Sequence, residues 1–243
     1  MVDTMNAMIG RLEKDVRKQA FFISDASHEM RTPIAVIKGY ADLMDRWGKN
    51  NPRVMQESID AIKAETNRIN SLILSLLALT RGEEASSRAI NEAVSLNETA
   101  ADAIKESAII YKDTKIILVE ESIESVQGNY EMILQLIRLL LDNGVKYAKE
   151  VSDPMYITVS GDDKGSYFTL KDTGRGIGEE DLPYIFERFY RADKSRNSKT
   201  PGFGLGLAMA DMIVRAHNAT IGVYSEQDVG TEFTVSFPKR GDA

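Results

Sequence analysis

Cysteine is absent from this 243-residue chain, which excludes disulfides, thiol nucleophiles and thiolate metal sites together. Histidine is scarce: His28 and His217 are the only two, so a multi-histidine metal centre is excluded as well. An excess of positive charge is also missing. The 30 lysines and arginines are outnumbered by 37 acidic residues, a net charge of −7, where a nucleic-acid-binding surface would show a basic surplus. An anionic ligand can be held only where cations are gathered locally. No apolar run approaches the ~20 residues of a membrane span, and no signal-peptide pattern is visible. What is present, 43% apolar and 28% charged residues, describes a soluble globular chain of one or two domains. It begins inside a helical pattern, as a soluble piece of a longer protein would.

The first eighty residues have helical period. Met5, Ile9, Leu12, Val16, Gln19, Ile23, Ala26, Met30, Pro33, Ile37, Tyr40 and Met44 follow one another at alternating steps of three and four. All but Gln19 are apolar or pack as apolar, a heptad seam that predicts a coiled coil or helical bundle. It stops at "WGKNNP", where Gly48 suits a left-handed C-terminal cap, Asn51 an N-cap and Pro52 the first turn of a new helix. A second seam runs through Met55, Ile59, Ile62, Thr66, Ile69, Ile73 and Leu76. Two long helices and a short turn make an antiparallel hairpin, and Leu72, Leu77 and Leu79 widen its apolar face. A lone hairpin cannot bury that face, so two chains are expected to form a dimeric four-helix bundle.

"TRGEEASSRAINEA" (80–93) is polar, lacks period and reads as a linker. Beyond it strands and helices mix: a helix at "ETAADAIKESAIIYKD", a strand at "TKIILVEE" and an apolar helix at "YEMILQLIRLLLDNGVKYA". "MYITVSGDDKGSYFTLKD" gives two strands around a turn, "GLGLAMADMIVRAHNA" a helix, and "ATIGVYS" with "GTEFTVSF" a closing hairpin. The fold class is therefore multidomain: an all-α hairpin, then an α+β two-layer sandwich. The expected divisions are a helical segment at 1–19 continuous with the bundle, the bundle domain at 20–82, a linker at 83–93 and the second domain at 94–240.

Within "SDASHEMRTP" (24–33), Ile23 and Met30 occupy a positions and Ala26 a d position, which places His28 at f, facing away from the bundle core. Glu29 beside it can hold the imidazole tautomer or accept its ring proton. A neutral imidazole leaves one nitrogen free as a nucleophile. Thr32 lies one turn on along the same face, able to orient a water. Pro33 costs a helix interior about 3 kcal/mol because it removes a hydrogen bond and crowds the carbonyl of Glu29. The apolar period continues past it, so a kink is expected rather than a helix end. "SHEMRTP" resembles the H-box of bacterial sensor histidine kinases, S-H-E-L-R-T-P, with Met30 in place of leucine.

Four further stretches could handle a nucleotide, though each alone also fits an ordinary polar helix, glycine turn or solvated loop. In "LLLDNGVKYA" (139–148), Asn143, Lys146 and Tyr147 share a helix face. An amide oxygen can ligate Mg²⁺ where phosphates supply the other ligands. "DTGRGIG" (172–178) offers Asp172 as an acceptor for the exocyclic amine of adenine, while Gly174, Gly176 and Gly178 let backbone approach a flat base. "IFERFYRADKSR" (185–196) gathers Arg188, Arg191, Lys194 and Arg196. "PGFGLGLA" (201–208) opens a helix with glycines, an arrangement that presents N–H groups to phosphate, but it matches neither the dinucleotide fingerprint nor the P-loop.

In order and spacing, these stretches are similar to the N, G1, F and G2 boxes of the histidine-kinase ATP-binding domain, a fold shared with gyrase, Hsp90 and MutL. That resemblance covers roughly residues 20–238. It implies that ATP phosphorylates His28 and that the phosphoryl group passes to an aspartate of a response-regulator receiver domain. Glu29 would keep the attacking nitrogen unprotonated, and Thr32 would align water for dephosphorylating the regulator. Asn143 would ligate Mg²⁺, Lys146 and Tyr147 would meet the phosphates, and Asp172 would read adenine in a pocket shaped by Gly174 and Gly176. Arg191 would steady the γ-phosphate, Gly202, Gly204 and Gly206 would form a lid hinge, and the lid between the F and G2 stretches would order around the phosphates. His217 matches the histidine that precedes the final hairpin in that family and is read as structural. The chain would be a homodimer and the cytoplasmic portion of a membrane-anchored sensor. Leu139 departs from a first N-box asparagine, Pro201 from the first G2 glycine, and "HNA" (217–219) from His-Gly-Gly. Two other readings stay open: a dimeric scaffold whose nucleotide domain is degenerate, and a serine kinase or ATPase of the same fold.

Overall fold

The structure, a computed structural model, describes residues 2–48, 51–85, 92–150, 153–192 and 202–239. It divides into two compact units, Met1–Leu74 and Ser75–Ala243.

The first unit is a helical hairpin. Helix α1, Val2–Trp47, runs unbroken through Pro33, as the uninterrupted apolar period predicts. Helix α2, Pro52–Ala85, begins with proline at its first position. Asn51 caps it: Oδ1 accepts from the N–H groups of Arg53 at 3.1 Å and Val54 at 3.3 Å. Gly48 differs from expectation. Its φ is not in the left-handed region, and its surroundings are tight instead: a Cβ there would lie 3.2 Å from Met44 Cγ and 3.3 Å from Met55 Cε, so these flexible side chains would have to give slightly. Ala26 and Leu72 are buried within the hairpin, whereas Ile23 (59%) and Tyr40 (36%) of the first seam, and Trp47 (63%), which extends it by one further step of three, remain exposed.

Helix α2 continues to Ala85, so the polar stretch expected as linker is helical over its first residues. Glu83, Glu84 and Ala85 are strong enough helix formers to extend it without apolar period. The stretch also ends inside a strand, β1 (Glu92–Ser95). Residues 86–91 lie outside those described.

Ser95 then caps α3 (Leu96–Ile110), its hydroxyl accepting from Glu98 N–H. The chain continues through β2 (Ile116–Glu120), β3 (Ser125–Gly128), α4 (Tyr130–Tyr147), β4 (Met155–Gly161), β5 (Gly165–Lys171), α5 (Gly206–Ala216), β6 (Thr220–Glu226) and β7 (Gly230–Pro238). Five strands form a sheet in the order β2-β4-β5-β7-β6, with β2 and β4 parallel and the other pairs antiparallel. Strands β1 and β3 make a separate antiparallel pair that the sequence did not announce, because each is only four residues long.

Alternation fixes the faces. Met155, Ile157 and Val159 of β4, Phe168 and Leu170 of β5, and Phe233, Val235 and Phe237 of β7 form one core with Ile133, Leu136, Ile137, Leu140 and Leu141 of α4 and Ile213 and Val214 of α5. Helices α3 and α4 are further stitched by polar contacts. Tyr111 donates its hydroxyl to Asp142 at 3.0 Å, Tyr130 to Asp102 at 2.8 Å, and Arg138 pairs with Glu106.

Candidate functional site

On α1, His28 and Thr32 are exposed and Glu29 is half-buried, which fits the f position read from the heptad. Pro33, next along the helix, is buried.

In the α/β unit, Asp172 follows directly on β5 and is buried, 6% exposed. Its Oδ1 accepts from the N–H of Gly174 at 2.8 Å and of Thr231 at 3.2 Å. Burial raises its pKa against the opposing effect of those two donors. Oδ2 makes none of these bonds, so one oxygen is fixed and the other is left for a donor outside the chain. Such a carboxylate fits an adenine amino group. Two of the surrounding glycines are tightly packed. A Cβ on Gly174 would meet Tyr147 O at 2.6 Å, and one on Gly176, whose φ is +67°, would meet Glu226 O at 2.0 Å. Their close approach is to the chain's own backbone. Gly178 has only ordinary contacts.

Around this loop the chain ties itself together. Arg175 N–H donates to Tyr147 O at 3.1 Å, and Ile177 N–H to Ser225 Oγ at 2.8 Å. Gly230, with φ of +148°, lies so close that a Cβ would come within 2.1 Å of Asp172 O. Gly144 on α4 packs against Met155 Sδ and Asp172 Cβ in the same way.

The cations gather at a second point. Lys146, near the end of α4, has its Nζ 4.9 Å from the centroid of the Tyr147 ring. A Cβ on Gly202 would lie 2.4 Å from that Nζ. Arg191 donates from Nη1 to Gly202 O at 3.2 Å. Burial, and then the charge of Arg191, push the Lys146 ammonium down to about 8. An anion between the two cations would relieve both penalties, so the donor set suits phosphate. Among the described residues, no group of three or more acidic or histidine side chains could hold a metal. A divalent ion there would depend on the amide oxygen of Asn143, half-buried three residues before Lys146, and on the phosphates themselves.

The glycine loop takes up positive φ at two of the three positions expected to form a hinge. Gly202 has φ of +141° and Gly204 of +71°, and a Cβ on Gly204 would strike Tyr190 O at 2.5 Å. Gly206 shows no positive φ. It opens α5 and has room for a Cβ, with Leu139 Cδ2 at 3.9 Å. Leu139, the departure from an N-box asparagine, thus packs beside the start of α5. Lys194, Arg196, Pro201 and the lid expected between the F and G2 stretches fall on residues 193–201, outside those described.

His217 ends α5 and is buried, 4% exposed. Its Nδ1 bonds Ile213 O at 2.7 Å and its Nε2 accepts from Asn129 N–H at 3.1 Å, an arrangement that requires the Nδ1–H tautomer. The ring also meets Phe237 edge-on at 6.2 Å. Burial lowers its pKa, so it is a neutral structural link between α5 and the start of α4.

An exposed histidine on a long helical hairpin, followed by a buried carboxylate and a two-cation glycine loop, has relatives of known kind. Residues 18–85 match the His Kinase A (phospho-acceptor) domain, and residues 128–241 the histidine kinase-, DNA gyrase B-, and HSP90-like ATPase family. The chain belongs to the histidine kinases. Sensor histidine kinase YkoH of Bacillus subtilis is 36% identical over 239 residues, 98% of this chain and 51% of that protein. Signal transduction histidine-protein kinase ArlS of Staphylococcus haemolyticus is 36% identical over 239 residues, 98% of this chain and 52% of its own. This histidine kinase chain therefore spans about half the length of the curated relatives it matches. The fold agrees with that of the Acinetobacter baumannii histidine kinase AdeS, with a TM-score of 0.64 at 21% identity over 87% of this chain and 97% of the other. No described helix is long and apolar enough to cross a membrane.

Sequence reasoning missed Thr231, Ser225 and Gly230, the residues of this histidine kinase that hold Asp172 and its loop from the final hairpin. Asp172 and Thr231 are 59 residues apart, and no local motif announces their pairing. Only the dipeptide Gly230-Thr231 at a strand start gave a signal, and it reads equally as a turn.

Proposed function

We propose that the chain is the kinase core of a two-component sensor, which phosphorylates itself on His28 from ATP and passes the phosphoryl group to an aspartate of a response regulator. The observation that carries this reading is the pairing of two fitted ends in one unit. Asp172 offers a buried acceptor to adenine, and Lys146 and Arg191 converge on Gly202 where phosphates would lie. A dissociable polyanion with a purine at one end satisfies both.

In the proposed reaction the unprotonated imidazole nitrogen of His28 attacks the γ-phosphorus, the bond to the β,γ-bridging oxygen breaks, and ADP leaves with that electron pair. Attack requires an approach of about 3–3.5 Å in line with the leaving oxygen. Glu29 takes the ring proton or holds the tautomer. Lys146, Tyr147 and Arg191 spread the charge of the transferring group, with Gly202 and Gly204 giving their backbone to it. Mg²⁺ held by Asn143 would neutralise phosphate charge. Thr32 serves the reverse duty, aligning water against the regulator's phosphoaspartate. Pro33, which leaves the Glu29 carbonyl without its helical partner, supplies mobility beneath the histidine. Equal kinase and phosphatase activities in Pro33→Ala and wild type would refute that last assignment.

The exposed seam of Ile23, Tyr40 and Trp47, with Ile73 and Leu77 on α2, supports a homodimeric four-helix bundle. The chain is proposed as the cytoplasmic portion of a membrane-anchored sensor, a reading for which relatives about twice its length leave room. The test is incubation with γ-labelled ATP and Mg²⁺, comparing wild type with His28→Gln. Acid-labile, base-stable label that vanishes in the variant is expected. Label that persists in it, or that resists acid, would overturn the reading.

A further inference from the structure

Between the adenine loop and the glycine loop lies a bend, Phe189–Arg191, that neither end of the site explains. Phe189 has φ of +63°, a conformation that a large aromatic residue adopts only when its surroundings over-determine it. Part of that constraint comes from the glycine loop. Phe189 N–H donates to Gly204 O at 2.9 Å, and the place of a Gly204 Cβ lies 2.5 Å from Tyr190 O and 2.8 Å from Phe189 C. The bend and the loop are keyed to each other, and Arg191 leaves the bend to clasp Gly202 O.

A second restraint comes from the opposite side. The Tyr190 hydroxyl donates to Asp181 Oδ1 at 2.5 Å, and its ring lies 5.6 Å from that of Tyr184. Asp181 is itself anchored. Its N–H donates to Gly178 O at 3.0 Å, and its carbonyl accepts from Tyr184 N–H at 2.9 Å. The hydroxyl is thus engaged with a residue fixed to the end of the adenine loop.

We infer that Tyr190 is a positioning residue for the phosphate end of the nucleotide site, acting through Asp181 to hold the strained Phe189–Arg191 bend against the glycine loop. Its hydroxyl faces Asp181 rather than ligand. The restraint places Arg191 and Gly202 where a terminal phosphate is met, and leaves the Asp172 pocket alone. The inference rests on the proposed nucleotide site and goes beyond it: the strength of one phenol hydrogen bond sets how far the site prefers ATP over ADP.

The experiment measures ATP and ADP binding to the whole chain by calorimetry with Mg²⁺, for wild type, Tyr190→Phe, Asp181→Ala, Asp181→Asn and Arg191→Ala. Tyr190→Phe keeps the ring contact and loses the donor. Its ATP affinity should fall about fivefold, the worth of one hydrogen bond, while ADP affinity stays within about twofold. Asp181→Ala should match it, and the double variant should be no worse than either alone. Asp181→Asn keeps an acceptor oxygen and should recover most of the preference. An unchanged ATP-to-ADP ratio in both Tyr190→Phe and Asp181→Ala would overturn the inference. If Arg191→Ala alone abolishes the preference, the nucleotide site stands and only the role of Tyr190 falls. If wild type binds neither nucleotide, both fall. Should Tyr190→Phe fail to fold, Asp181→Ala against Asp181→Asn makes the same comparison.

Discussion

Lys146 and Asp172 are the two side chains of the proposed nucleotide site whose titration burial shifts. Lys146 titrates at about 8 because it is desolvated and faces Arg191. A phosphate would restore its charge, so ATP binding near and above pH 8 should take up a proton. At pH 8 about half the free protein carries neutral Lys146, giving an uptake of up to about half a proton per ATP. Calorimetry in buffers of different ionisation enthalpy measures this directly, and Lys146→Met should abolish it. Affinity should decline as pH rises through this range, because the competent protonation state becomes scarcer. Asp172→Asn tests the other end. Its Oδ1 can still accept from Gly174 and Thr231, but an amide N–H₂ would then face the adenine amine, donor against donor. ATP affinity should drop roughly 10- to 100-fold, the range for a hydrogen bond to a charged group, with little change in the melting temperature. Competition binding with a fluorescent nucleotide reads the affinity, and a thermal melt of the same sample reads the stability.

At the scale of elements, the ends of the helices carry the specificity. Asn51 offers its side chain to two otherwise unbonded N–H groups of α2, so Asn51→Ala should destabilise the hairpin by about 1 kcal/mol. Urea unfolding of the hairpin, followed by helical circular dichroism, checks the value. His217 works at the junction of α5 and α4. Its folded pKa lies below the ordinary 6.5, so the unfolded chain binds its proton more readily. The stabilisation is fully present above that value and is lost as pH falls through the folded pKa, when Nε2 would become a donor facing Asn129 N–H. Thermal melts of the wild type should therefore weaken below pH 6.5 more steeply than those of His217→Gln. The Asn51 cap was legible because it acts within four residues, whereas the Ser95 cap was not read and α3 begins earlier than its apolar period suggests. The crowding at Gly48 was not legible either, since the methionine side chains that press on it belong to both helices.

At the scale of the whole molecule, the hairpin exposes the seam that its heptads require to be covered. The single tryptophan, Trp47, sits on that seam at 63% exposure. Ile23→Glu combined with Tyr40→Glu should yield monomers by sedimentation and a red-shifted Trp47 emission. A dimer unaffected by these changes would place the interface elsewhere. The sequence disclosed this architecture well because period and motif order are local properties. The helical hairpin, the main helices and the antiparallel hairpins were all read from windows of ten to twenty residues. The brace around Asp172 was not, because Asp172, Ser225, Gly230 and Thr231 meet only through the pairing of β7 with both β5 and β6.

That pairing carries a consequence for synthesis. Strand β7 follows every other element of its unit in the chain, yet it sits inside the sheet, between β5 and β6, and supplies Thr231 to Asp172. On the ribosome, His28 emerges just over two hundred residues before Thr231, the last support of Asp172. A chain truncated ahead of β7 would keep His28 and lack one of the two donors that hold Asp172 Oδ1. The order of the strands thus makes that brace the last part of its unit to be assembled during translation.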